Sequence, residues 1–362
     1  MIKNKNPKKI LVINTFGIGD ALFTMPFVDN LKVNFPQASI DYVSNRRTVE
    51  IIGKNKNIDR MFIYERDASV ALSRKSKWEF LKKVREFLSE LKRQHYDIVF
   101  DFSLNSNINF FTALIGIKER IGLNYKKRSP FLTFSVPFAG FENKHVIEHY
   151  LDLLDKLNLK IETRKLHLDV DPKDKKWAED FLNKNGRDKG KRLIGVLPGG
   201  GASWGKEARF RRWAPAKFAK LVDKMVEKLS AQIILIGDIN EKDLCRQLEG
   251  RHEKDVIKAY GQTTLGQLSA LLSMCDLFVL NDGGPLHVAV AVGIKTVSIF
   301  GPVDHRVYGP YLYGEPNKHI VVAKTLFCQP CYRKFRMTQC SHISCLDQIT
   351  VDDVFRKVEQ AL

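Results

Sequence analysis

The chain has 362 residues, 44% hydrophobic and 28% charged, with 59 Lys and Arg against 41 Asp and Glu and a formal net charge of +18. At roughly 150 residues per domain this length suits two domains, and the composition excludes disordered and collagen-like classes. No apolar run approaches the roughly 18 residues of a membrane span, and the stretch 10–13 is too short for a signal peptide, so a soluble, cytoplasmic protein with an anionic partner is expected.

The first predicted strand, 10–14, runs into Gly17-Ile18-Gly19-Asp20 and then an apolar helix. Glycines there let a ligand approach the backbone, and the helix start offers N–H groups to an anion. A dinucleotide fingerprint would need a third small residue at position 22, which is Leu22, so the nicotinamide reading weakens. Asp20 either complements the helix start as a cap or stands as an ionised carboxylate able to act as a general base. Near-continuous apolar runs at 39–43, 61–64 and 96–102 read as strands buried on both faces of a parallel sheet.

Between the last two, Trp78, Leu81, Val84, Leu88 and Leu91 recur at helical spacing, which predicts an amphipathic helix over about 76–94. Its other face carries Lys77, Lys82, Lys83, Arg85, Lys92 and Arg93. Together with Lys3, Lys5, Lys8, Lys9 and the run Lys126-Lys127-Arg128 it forms the basic part of the first half. This is either a solvated face or a contact for an anionic membrane surface or a phosphorylated acceptor. Nucleic acid is disfavoured, because no stacking platform of aromatic and basic residues accompanies the charge.

Helical patterns at 146–159 and 173–185 and the polar run 183–192 break the alternation once, which divides the chain into domains 1–172 and 173–362. Apolar strands resume at 192–197, 232–236, 277–280 and 296–300. Strand–helix alternation of this kind reads as α/β, doubly wound. Gly199-Gly200-Gly201 follows the first of these strands, and Lys206, Arg209, Arg211 and Arg212 precede a helix at Pro215. Glycine turns with guanidinium groups suit a diphosphate, while a solvated basic loop is the alternative. Glu241, beyond the second strand, either receives ribose hydroxyls or joins Asp238 and Asn240 in a cap. After the third strand, Asn281-Asp282-Gly283-Gly284-Pro285 opens an apolar helix with His287 in its first turn, the form of an anion site. No Asp-x-Asp pair lies near these motifs to require a catalytic divalent cation. Cys328-x2-Cys331-x8-Cys340-x4-Cys345, with His342 inside, leaves a structural zinc, free thiols and disulfides open.

In combination, ILVINTFGIGDALFTMPF, PGGGASW…RRWAPAKFAKL and NDGGPLH…GIKTVSIFGPVD resemble glycosyltransferase family 9, the heptosyltransferases, from about residue 8 to the C-terminus. YDIVFDFSLN, ERIGLN and HVIEHYLDLLDKL fall where similar family segments would. The resemblance implies a GT-B architecture: two Rossmann-like doubly wound domains facing a cleft, with the donor on the C-terminal domain and the acceptor on the N-terminal one. It implies inverting transfer of a heptose from ADP-heptose to the lipopolysaccharide inner core. The basic surplus adds, as expectations, a phosphorylated glycolipid acceptor and a place at the inner face of the cytoplasmic membrane. No cofactor is required for catalysis, with a structural zinc open. By the same resemblance Asp20 is the catalytic carboxylate, and Gly19 and Asp101 lie on the acceptor side. Gly199, Arg211, Arg212, Glu241, Asp282, Gly283, Gly284 and His287 bind the donor. Arg211 or Arg212 stands where the family usually has a Lys, just before the helix Trp, here Trp213. A GT-B transferase using another nucleotide sugar and an inactive basic binding protein are the other readings.

Overall fold

The computed structural model describes residues 2–201, 208–250 and 252–362. The chain forms two compact units, Met1–Phe141 with Val146–Lys165, and Glu142–His145 with Leu166–Leu362. The crossing at Lys165–Leu166 comes before the 172/173 division drawn from the sequence. Leu166 is buried, and the Leu168 N–H donates to the Ala291 carbonyl at 2.9 Å, so the stretch before Pro172 already packs with the second unit.

The first unit runs β1 (Lys9–Ile13), α1 (Ile18–Phe23), α2 (Met25–Asn34), β2 (Ser39–Ser44), α3 (Arg46–Ile52), β3 (Arg60–Ile63), α4 (Arg66–Lys75), α5 (Lys77–Lys92), β4 (Ile98–Asp101), α6 (Ser106–Leu114), β5 (Glu119–Tyr125), β6 (Phe134–Phe138) and α7 (Val146–Lys156). Its strands are parallel, in the order β3-β2-β1-β4-β5-β6.

The second unit runs α8 (Pro172–Lys184), β7 (Leu193–Leu197), α9 (Pro215–Leu229), β8 (Gln232–Leu235), α10 (Lys242–Arg246), β9 (Val256–Lys258), α11 (Leu265–Ser273), β10 (Leu277–Asn281), α12 (Gly284–Val292), β11 (Thr296–Phe300), α13 (His305–Tyr308) and β12 (His319–Ala323). A hairpin, β13 (Tyr332–Arg333) and β14 (Arg336–Met337), then α14 (Ser344–Asp347) and α15 (Val351–Ala361) complete it. The parallel order β12-β11-β10-β7-β8-β9 repeats the first sheet's winding. Each sheet therefore reverses direction once, between β1 and β4 and between β7 and β10. Open parallel sheets bind ligands outside the carboxyl ends of the strands at such points.

Burial explains the elements. β7, β8, β10 and β11 are buried throughout, which their continuous apolar sequence requires. Pro215 opens α9, where its missing N–H has no partner to lose, and Phe218, Leu221, Val222 and Met225 turn one stripe into the core. Trp213, just before it, is fully buried and meets Phe218 edge-on at 5.0 Å. Burying roughly 200 Å² of aromatic surface contributes on the order of 5 kcal/mol.

One stripe departs from this rule. Of the apolar residues of α5, only Leu91 is buried; Val84 and Leu88 are half-buried, and Trp78 and Leu81 are exposed. The strands missing from the sequence reading, β5, β6, β9 and β12, lie at or next to sheet edges. There burial alternates or is partial, so the apolar run is diluted. Among the described residues no helix is long and apolar enough to cross a membrane.

Candidate functional site

At the first switch point the turn after β1 is fixed by two asparagines. Asn14 accepts the Phe16 N–H at 3.0 Å and donates to the Asp20 carbonyl at 3.0 Å, and Asn45 donates to the Phe16 carbonyl. Neither stood out in sequence, because each uses an ordinary amide on backbone rather than a charge. Gly17 caps α1 without a side chain, Gly19 is buried within it, and Asp20 sits partly exposed in its first turn. The Asp20 charge adds to burial in pushing the Tyr42 phenol up, which puts the carboxylate near that ring. Tyr42 shares a 2.6 Å hydrogen bond with Thr24.

Asp101, at the end of β4, turns its carboxylate inward. It accepts the Ser103 N–H at 2.8 Å and the Asn109 amide. Burial raises its pKa to about 6 against the pull of those hydrogen bonds. In this geometry Asp101 anchors the loop into α6.

The second switch point gathers four segments. Gly200 and Gly201, at φ +103° and +85°, turn the chain after β7 in a conformation that favours glycine. Gly283 packs so close that a Cβ there would collide with the Gly200 carbonyl oxygen. Asn281 joins the segments: its amide donates to the Pro198 carbonyl at 2.6 Å and accepts the Trp213 N–H at 3.0 Å. The sequence reading passed over Asn281 in favour of the glycines beside it. Gly284 and Pro285 then start α12, whose first-turn N–H groups lie at the carboxyl end of the sheet.

The charged residues pair across this frame. Arg211 donates through Nε to Asp282 Oδ2 at 2.9 Å and pairs with the same oxygen through Nη2, with side chains only 11% and 2% exposed. Burial raises the Asp282 pKa while Arg211 lowers it, and among the described residues Oδ1 of Asp282 is buried without a hydrogen bond. Arg212, 26% exposed, donates through Nε to the Gly199 carbonyl at 2.9 Å and lies 3.5 Å from Glu241. The Glu241 carboxylate also accepts the Gly201 N–H at 2.9 Å and the Asp238 N–H at 3.1 Å, closing a capping box with Asp238. It is buried and raised in pKa by that burial; in this structure it braces the glycine turn and Arg212. Arg209 is exposed, its guanidinium 4.7 Å from the Phe210 ring centroid. Lys206 lies outside the described residues.

His287 is buried, and burial first, then His145 and Arg211, hold its pKa well below the usual imidazole value. It is therefore neutral near pH 7. His145 donates through Nε2 to the Gly309 carbonyl at 3.1 Å and packs on Tyr311 with centroids 4.8 Å apart. It opens the segment HVIEHYLDLLDKL, where nothing in the sequence assigned it a role of its own.

Cys328, Cys331, Cys340 and Cys345 converge on one small cavity lined also by His342 and Phe210, all with free thiols. Cys340 donates to the His342 carbonyl, and Cys331 to the Cys328 carbonyl at 3.3 Å. Among the described residues no group of three or more His, Cys, Asp or Glu is set to hold a metal ion.

The profile of Glycosyltransferase family 9 (heptosyltransferase) matches residues 84–342. The chain is 25% identical over 303 residues to lipopolysaccharide heptosyltransferase 3 of Escherichia coli, covering 81% of this chain and 83% of that one. Its fold matches the glycosyl transferase family 9 structure from Veillonella parvula at a TM-score of 0.82, with 22% identity over 98% of this chain and 97% of that one. It also matches the E. coli heptosyltransferase WaaC with ADP-2-deoxy-2-fluoro heptose at 0.71, with 16% identity over 98% and 100%. With two Rossmann-like α/β units and a family match across most of its length, the chain belongs to glycosyltransferase family 9, as a glycosyltransferase of the GT-B fold class.

Proposed function

We propose that the protein moves a heptose from an ADP-linked donor to a phosphorylated glycolipid of the lipopolysaccharide inner core, with inversion, Asp20 as general base and no cofactor required for catalysis. The observation that carries this reading is the second switch point. There the start of α12, the Gly200–Gly201 turn and Arg212 offer an oxygen-rich dianion oriented N–H groups and a fixed cation. A relative named for lipopolysaccharide heptosyl transfer and a fold neighbour crystallised with an ADP-heptose analogue support the donor and acceptor classes.

In this reaction the acceptor oxygen bonds the anomeric carbon as the bond from that carbon to the diphosphate breaks. The hydroxyl proton passes to Asp20, and the electron pair leaves with ADP. Attack opposite the leaving group inverts the configuration. Positive charge grows on the sugar and negative charge on the departing phosphate, as in other glycosyl transfers through oxocarbenium-like states. Dipoles and cations already in place for the phosphate need no reorganisation, which is why such groups lower the barrier. Neutral His287 adds a hydrogen-bonding group beside this site rather than a charge. Asp282 and Glu241 hold the two arginines, and Gly283 and Gly284 let the diphosphate approach backbone.

The cysteine cluster has the all-thiol chemistry of a structural zinc site, two cysteines in C-x2-C and two from a second segment. We propose that these four side chains hold zinc, a step that needs Cys340 to leave the His342 carbonyl.

The test is Asp20→Ala. Transfer to acceptor should fall at least a hundredfold, of the order seen when a general base is removed, while ADP binding measured by calorimetry stays at the wild-type value. Wild-type turnover in that variant would sink the assignment.

A further inference from the structure

The first half of α5 carries an apolar and cationic face with solvent on it. Trp78 is 79% exposed and Leu81 57%. Trp78, Lys82, Arg85, Ser89 and Lys92 succeed one another at spacings of four, three, four and three, so they form one stripe along the helix, with Leu81 beside its start. All of them are exposed. The acids Glu79, Glu86 and Glu90 fall one residue round, on the neighbouring stripe, which leaves this one without negative charge. The preceding α4 adds exposed Val70 and, in its last turn, Arg74 and Lys75.

Topology says at which end of the sheet this face begins within the first unit. β3 and β4 are both parallel to β1, so the connection between them returns against the strands, and α5 ends where it delivers the chain to the start of β4. Its first turn, with Trp78, therefore lies toward the carboxyl-end edge of the sheet. Asp20 follows β1 on that same edge, and exposed Lys126, Lys127 and Arg128 follow β5 there. Lys8 and Lys9 start β1 at the opposite edge, their N–H groups held by Asp97 at 2.7 and 3.0 Å. The basic residues of the first unit are thus split between the two edges, and the part at the carboxyl-end edge accompanies exposed Trp78.

We propose that the α4–α5 hairpin docks the protein on an anionic bilayer. Trp78, Leu81 and Val70 enter the headgroup boundary, and Lys82, Arg85 and Lys92 pair with lipid phosphates. Tryptophan favours the membrane interface, and helices that join Trp and Leu to Lys and Arg lie in its plane. A water-soluble protein partner would have to be strongly acidic and also cover a tryptophan. An anionic lipid surface offers both features at once. The purpose of the docking rests on the glycolipid-acceptor reading above, because it brings the Asp20 edge to where a lipid-anchored acceptor lies.

The experiment is sedimentation of the full chain with vesicles of phosphatidylethanolamine containing about a third phosphatidylglycerol, against phosphatidylcholine vesicles. Wild type should pellet with the anionic vesicles, less at high salt, and not with phosphatidylcholine. W78A/L81A and K82E/R85E should each bind about tenfold or more weakly, while melting as wild type and transferring to a deacylated, water-soluble acceptor at the wild-type rate. Undiminished pelleting of both variants, or no pelleting of wild type, overturns the proposal. So does light scattering that shows a wild-type dimer which W78A/L81A converts to monomer without any vesicle binding. Vesicle binding that persists while wild type fails to transfer heptose to the soluble acceptor would count against the transferase reading and leave the docking standing.

Discussion

Arg211 pairs with a carboxylate that water hardly reaches, whereas its neighbour Arg212 is about a quarter exposed. The consequence is a division between folding and binding. Arg211→Ala would strand Asp282, one oxygen of which already lacks a hydrogen bond among the described residues, in a buried site with no counter-charge. Breaking such a pair from one side costs about 3–5 kcal/mol, and denaturant unfolding should register a loss of that size. Arg212→Ala leaves buried Glu241 the Gly201 and Asp238 N–H groups, so stability should fall by less than in Arg211→Ala, about 1–2 kcal/mol. ADP affinity should fall about tenfold to a hundredfold, the worth of one or two charge-assisted hydrogen bonds. Calorimetric titration with ADP beside unfolding curves separates the two. Unchanged stability in Arg211→Ala, or unchanged ADP affinity in Arg212→Ala, would show that the division is wrong.

At the scale of elements, legibility followed burial. β7, β8, β10 and β11 are buried on both faces and could be read as continuous apolar runs. β6, with every second residue outward, and β12, with only His319 and Val322 buried, looked like loop. The glycines and arginines of the second switch point stood out in sequence because those residue types suit a diphosphate. Asn281, Asn14 and His145 lie in the same quoted segments, but their roles were not legible, since an amide or imidazole that organises backbone carries no charge or spacing to assign it. The α5 stripe shows the opposite limit: its spacing announced an amphipathic helix but not that the protein leaves half of the stripe uncovered.

The cysteine segment lies between these cases, because its spacing left zinc, free thiols and disulfides open and the structure brings the four thiols to one cavity. Burial and neighbouring thiols push Cys345 up to about 11. A zinc ion would reverse that balance by replacing protons with a shared cation. Protein purified reduced and without chelator should carry about one zinc per chain, lost in Cys340→Ser with a lower melting temperature and ADP binding intact. The absence of any stoichiometric metal in such a preparation would remove zinc and leave a thiol cluster.

The whole molecule contains two units, each with its own sheet and core, and the residues proposed to bind the donor all belong to the second. Two cores of this kind need not melt as one, so heating is expected to give two transitions rather than a single two-state curve. A ligand stabilises only what it binds, and at a hundred times its dissociation constant the gain is about 2.7 kcal/mol. For a unit of about two hundred residues each kcal/mol raises the midpoint by roughly 2–4 °C, so ADP should move the second unit's transition up by about 5–10 °C. The first unit's transition should stay where it was. UDP and GDP at equal concentration should move neither to a comparable extent, because the donor proposed above carries adenine. Differential scanning calorimetry with each nucleotide, assigned with Arg211→Ala as the marker of the second unit, decides both points. A shift confined to the other transition would move the donor site off the β7–β10 switch point. An equal response to UDP or GDP would keep the site and change the donor.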